Sequence, residues 1–149
     1  MKNIILNHLT KYTTVIALSA VMSLSAHAQS NDDAVYRGLG EKVGINNIVA
    51  DFLPLVLADV RINAAFKDTD IERLGMLLSE QFCQLSGGPC RYSGKNMQDT
   101  HRGMNITNAQ FNALAEDLQI AMEKNAIPSS VQNKLIAKLA PMQATVVTK

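Results

Sequence analysis

The chain has 149 residues, with 14 lysines and arginines against 13 acids, two cysteines, three histidines and 47% hydrophobic residues. That length suits one domain able to bury a real core, and the near-neutral charge argues against a nucleic-acid partner. Two cysteines without neighbouring histidines cannot complete a structural zinc site.

Lys2 and Lys11 flank the start of an apolar run from Val15 to Leu24 that ends in Ala26-His27-Ala28. This pattern reads as an export signal over residues 1–28, followed by a domain over 29–149 that begins at Gln29. The rival, a membrane anchor, is disfavoured because residues 13–28 are too few and too rich in Ser and Thr to span a bilayer. Cleavage removes two of the 14 basic residues, leaving 12 against 13 acids, a net charge of −1 and no membrane span. The expected location is periplasmic or secreted.

Beyond Gln29 apolar residues recur at helical spacing and no useful alternating strand appears, so the expected class is all-α. Ile45, Ile48, Val49, Phe52, Leu53, Val56 and Leu57 form one stripe, which Pro54 should bend. A short helical turn with Ile62 and Phe66 follows. Asp70 can cap a helix bearing Ile71, Leu74, Leu77, Leu78, Phe82 and Leu85, stopped by Gly87-Gly88-Pro89. Cys83 and Cys90, with six residues between them, fit either a disulfide of an exported chain or two buried thiols.

Residues 90–105 are rich in Gly, Ser and Asn and read as a long loop with one helical turn around His101, a kind of segment that is usually functional or disordered. Thr107 and Gln110 form a capping box for a helix burying Phe111, Leu114, Leu118, Ala121 and Met122, which Ile127-Pro128 ends. The last helix starts near Ser129 or Ser130 and carries Val131, Leu135, Ile136, Leu139, Met142 and Val146, with Pro141 as an irregularity.

His8 and His27 belong to the signal, so His101 is the only histidine left for chemistry. No GxSxG elbow and no Cys and His pair at recognisable spacing accompanies it. Protein-held zinc or copper needs several imidazoles or thiolates, whereas a haem needs one protein ligand, because the porphyrin supplies four nitrogens. Met97, Met104, Ile106 and Phe111 around His101 can help to form an apolar slot. The residues alone favour an exposed loop histidine over a ligand, and apolar stripes more often make core than cofactor box.

Over Tyr36 to Val147 the chain resembles the group I truncated haemoglobins. The resemblance rests on Phe52, on Leu57-Ala58-Asp59 with Arg61-Ile62-Asn63, on Phe66, on LSGGPCRYSG from Leu85 to Gly94, and on Met97 followed by His101. GMNITNAQF from Gly103 to Phe111 and KLAPM from Lys138 to Met142 extend it. It implies a shortened globin, a two-over-two helical sandwich, with a b-type haem (heme b, iron protoporphyrin IX) on proximal His101 and Phe66 packed on the haem face. Gly87 and Gly88 match the glycine pair that ends the distal helix.

The departures bear on mechanism. Where the family has an early glycine pair, Gly40 is followed by Glu41; where many members have tyrosine after the phenylalanine, this chain has Leu53. Distal positions that often hold glutamine fall on Leu74 and Leu78, and the position between them, a second iron ligand in some members, is Leu77. The implied distal pocket of Leu53, Leu74 and Leu78 lacks a strong hydrogen-bond donor unless Gln81 or Tyr36 swings in. With Phe66, Leu74, Leu78, Met97, His101, Ile106 and Phe111 as the expected cofactor contacts, the resemblance implies a binder of O2, CO and NO. Its alternatives are a nitric oxide dioxygenase served by a reductase, a nitric oxide sensor, and a cofactor-free helical interaction protein.

Overall fold

The computed structural model describes residues 33–149. The expected export signal, residues 1–28, lies outside them. Every regular element among the described residues is helical: α1 (Ala34–Gly38), α2 (Glu41–Ala58), a 3-10 turn (Asn63–Phe66), α3 (Ile71–Leu85), α4 (Met97–Thr100), α5 (Asn108–Lys124), α6 (Ser129–Leu139), a second 3-10 turn (Ala140–Met142) and α7 (Gln143–Val146). Helix α2 packs against both α3 and α5, α5 pairs with α6, and α6 reaches α1 and α3. The α2/α3 pair thus lies over the α5/α6 pair, the two-over-two arrangement. No helix among the described residues is long and apolar enough to cross a membrane.

Helix α2 buries Ile45, Ile48, Val49, Phe52 and Val56, spaced three or four apart so that one stripe faces the core. Leu57 departs from the expected stripe and is 41% exposed, because it stands about 100° around the helix from Val56. The helix runs through Pro54, whose missing N–H falls on the exposed side, where water can satisfy the carbonyl of Ala50. Gly40 and Glu41 both have positive φ, 80° and 57°. A glycine pair is comfortable in that left-handed conformation, whereas Glu41 pays a cost of about 1 kcal/mol.

Asp70 caps α3 by accepting from the Arg73 N–H at 3.0 Å, as its residue type suggests. At the other end Gly87 adopts φ 87° and Cys83 is joined to Cys90 in a disulfide, which decides between the two readings of this pair. Gly88 is required by close packing: an added Cβ would stand 2.5 Å from the Tyr36 ring and 2.7 Å from the Cys83 sulfur. The Tyr36 N–H donates to the Ser86 carbonyl at 3.0 Å, so α1 is fastened to the end of α3.

The capping box of α5 is complete, with the Gln110 N–H donating to Thr107 and the Thr107 N–H to the Gln110 side chain. The last helix divides where Pro141 stands: α6 gives way to the 3-10 turn and then to α7. Thr148 and Lys149 then donate their N–H groups to the Ile106 carbonyl at 2.9 and 3.2 Å.

Asp51 with Lys124, and Arg61 with Asp59 and Glu116, link α2 and its following turn to α5 across the surface. Beside the second cluster lies Asp117, 5% exposed, with an Oδ2 that has no hydrogen-bond partner among the described residues. Burial raises its pKa above the usual carboxylate range, Asp59 adds to that and Arg61 opposes it. Between the ordinary carboxylate value and the raised one the native state keeps a proton that the unfolded chain has released, so the contribution of Asp117 is lost as pH rises through that window. Asp51 and Asp59, lowered by hydrogen bonds from Lys124 and Arg61, lose their contributions in the opposite direction, as pH falls. Asp117→Asn is expected to stabilise the protein at pH 7 by about 1 kcal/mol, roughly 4 °C in Tm. Thermal unfolding should show that gain shrinking at pH 4; an equal gain at both values would mean that the charge is not the cause.

Candidate functional site

Between α2 and α3 on one side and α4, α5 and α7 on the other lies a cavity of about 590 Å³. Leu53, Leu74, Leu78 and Gln81 line it from α2 and α3, with Phe66 from the 3-10 turn. Met97, His101 and Phe111 line it from the opposite side. Leu77, at the position between the two distal leucines, lines it as well.

Two residues placed around His101 on sequence grounds lie elsewhere. Ile106 is buried but not in the cavity wall, and Met104 is 40% exposed. The chain turns away after His101, with positive φ at Gly103 and Asn105. Tyr36 also stands outside the cavity, against Gly88 and Cys83.

His101 follows α4 as its C-terminal cap. Its Nδ1 is 2.8 Å from the Met97 carbonyl oxygen. A carbonyl only accepts, so in the neutral imidazole Nδ1 carries the proton and Nε2 keeps its lone pair for a metal. The backbone N–H of His101 donates to the same oxygen at 3.1 Å, which fixes ring and backbone together. Asn96 caps the single turn of α4 by accepting from the Asp99 N–H at 2.8 Å.

The loop before α4 is pinned along α3. Besides the disulfide, the Tyr92 N–H donates to the Gln84 side chain at 2.6 Å, and Ser93 donates to the Glu80 carboxylate from its N–H at 2.9 Å and its hydroxyl at 2.7 Å. The Ser93 bonds hold the Glu80 carboxyl below its ordinary pKa. Tyr92 lines the cavity, its hydroxyl donates to the Lys95 carbonyl at 3.0 Å, and burial pushes its pKa up.

Most of the wall is apolar, and its exposed cations are Arg73 and Lys95. Among the described residues no three His, Cys, Asp or Glu side chains come together to hold a metal ion by themselves. An apolar slot with one imidazole presenting a free Nε2 and cations at its mouth fits a planar iron porphyrin with carboxylate arms, and its volume is ample for a cofactor. Arg73 and Lys95 escaped the sequence reading because exposed charged residues carry no hydropathy signal, and part-buried Tyr92 because it lies in an irregular loop with no periodic pattern. Leu139 and Val146 were legible as apolar stripe but not as cavity wall.

A family model described as bacterial-like globin matches residues 34–148. A group 1 truncated hemoglobin of Tetrahymena pyriformis is 34% identical over 100 residues, covering 67% of this chain and 83% of the relative. One from Mycolicibacterium paratuberculosis is 27% identical over 125 residues, covering 84% and 92%. The crystal structure of truncated hemoglobin from Tetrahymena pyriformis in its Fe(III) form superposes with a TM-score of 0.75 at 30% identity, covering 77% of this chain and 98% of that one.

Proposed function

The chain belongs to the bacterial-like globins as a group I truncated haemoglobin, a haem-binding family, and we propose that it holds a b-type haem on His101 and binds diatomic gases in the periplasm. When bound, the haem would be held by His101 and would supply an iron able to take up O2, CO or NO. The observation that carries the reading is the 2.8 Å contact from His101 Nδ1 to the Met97 carbonyl, which in the neutral imidazole places the proton on Nδ1 and makes Nε2 of this cavity-lining ring the metal-binding nitrogen. Arg73 and Lys95 suit the carboxylate arms, and Phe66 and Phe111 supply apolar surface for the ring.

Across the cavity, Leu53, Leu74 and Leu78 present no hydrogen-bond donor. A gas that gains negative charge on binding is therefore held weakly, which favours CO and NO over retention of O2. The same leucines weigh against nitric oxide dioxygenation, a second reading that needs retained oxygen and a reductase as partner. They are compatible with sensing of nitric oxide. Export is supported by the Cys83–Cys90 disulfide, a bond that persists mainly in oxidising compartments.

The test is to express the full chain with haem available and to purify it from the periplasm. The expected product starts at Gln29 and has a Soret band that shifts when CO is added to the reduced protein. A folded product without a Soret band would leave the cofactor-free helical reading. An intact Met1 terminus in the membrane fraction would mean an anchor instead of an export signal.

A further inference from the structure

Helix α4 has only four residues, far too few to be stable by itself, so tertiary anchors must set the position of His101 at its end. One of those anchors comes from across the cavity. Gln81, on α3 and 8% exposed, places its Nε2 3.6 Å from the Met97 sulfur and 3.6 Å from the Met142 sulfur. A side-chain amide has two N–H bonds, and the two thioethers account for both.

Met97 is the residue whose carbonyl holds the His101 ring and backbone. Met142 belongs to the 3-10 turn that leads into α7, and α7 packs on α4. Gln81 therefore ties α3 to the residue that orients the histidine and to the C-terminal segment beside it. With both N–H groups directed at sulfur, it has none left for a gas in the cavity.

We propose that Gln81 is a positioning residue, acting through Met97 and Met142 on His101, and that it is not a donor to the gas ligand. This rests on the haem-binding reading above. Sulfur is a weak acceptor, but α4 has little internal stability to resist displacement once these bonds are lost.

The experiment compares wild type with Gln81→Leu, Gln81→Met, Met97→Leu and the Gln81→Leu/Met97→Leu double variant. Gln81→Met keeps the volume and removes the donor, which separates hydrogen bonding from packing. The readouts are the iron–histidine stretching band of the reduced, gas-free protein, the rate of haem transfer to apomyoglobin, and oxygen release. In the haem-free protein, the Met97 and Met142 methyl resonances give an independent check.

Each single variant should shift the iron–histidine band and speed haem transfer by about three- to tenfold, the scale of one or two weak hydrogen bonds. The double variant should go little further than the larger single, because one interaction is removed twice. Oxygen release should change less than about twofold. In haem-free Gln81→Met both methionine methyl resonances should move. An unshifted band with unchanged haem transfer in Gln81→Met would overturn the proposal. So would fully additive effects in the double variant, or several-fold faster oxygen release with the band in place, which would make Gln81 a distal donor. A wild type without a Soret band would instead overturn the haem reading itself.

Discussion

His101→Gly should lose its haem or retain it only when imidazole is added. His101 is the only histidine among the described residues, and the bond from Nδ1 to the Met97 carbonyl makes Nε2 the metal-binding nitrogen of the neutral ring. No other imidazole can therefore take its place. Loss of a residue that merely orients a ligand weakens metal binding by roughly 10- to 100-fold, so loss of the ligand itself should exceed about 100-fold. Glycine leaves a space in the cavity wall that free imidazole can enter, which separates loss of the ligand from loss of the fold. The check is the absorption spectrum of the variant before and after imidazole, with circular dichroism to verify helix content. A spectrum and haem retention like those of wild type would contradict the assignment of His101.

Leu53→Tyr should slow oxygen release by roughly three- to thirtyfold, the effect of one added hydrogen bond to an acceptor that carries partial charge. Leu53 is part-buried on α2 and lines the cavity across from His101, together with Leu74 and Leu78. A phenol at this position would bring a donor to an otherwise apolar wall. Carbon monoxide depends less on such a bond and should respond less. Stopped-flow release of oxygen and carbon monoxide from the two proteins decides the matter. Slow release already in the wild type, unchanged in Leu53→Tyr, would place another donor at the ligand. Tyr36 is remote from that role, outside the cavity with its ring against Gly88, and Gln81 is engaged by two sulfurs.

Much of the fold was legible because its signals are local. Asp70 and the Thr107 and Gln110 box cap the helices their residue types suggest, since a cap is decided by side-chain atoms within three residues. Ile45, Ile48, Val49, Phe52 and Val56 are buried as their spacing requires, while Leu53 is part-buried at the cavity and Leu57 lies one step beyond Val56 and faces water. Hydropathy also singled out Leu53, Leu74 and Leu78, and the scarcity of histidine singled out His101. None of these signals says whether an apolar side chain meets another across a core or faces a cavity.

Tertiary structure decided the rest, because it depends on groups far apart in sequence. Ile106 and Met104 flank His101 in the chain but point elsewhere, since Gly103 and Asn105 turn the backbone and the C-terminal N–H groups take the Ile106 carbonyl. Spacing left the state of Cys83 and Cys90 open; their pairing follows from how Gly87 and Gly88 fold the loop back on α3. The link from Gln81 to Met97 and Met142 spans 16 and 61 residues and has no periodic trace. Sequence by itself determined the helices, the core stripes and the one available imidazole, because those follow from local conformation and composition. Only the packing of α2 and α3 over α5 and α6 decided which apolar side chains line a cavity and how the single turn before His101 is held.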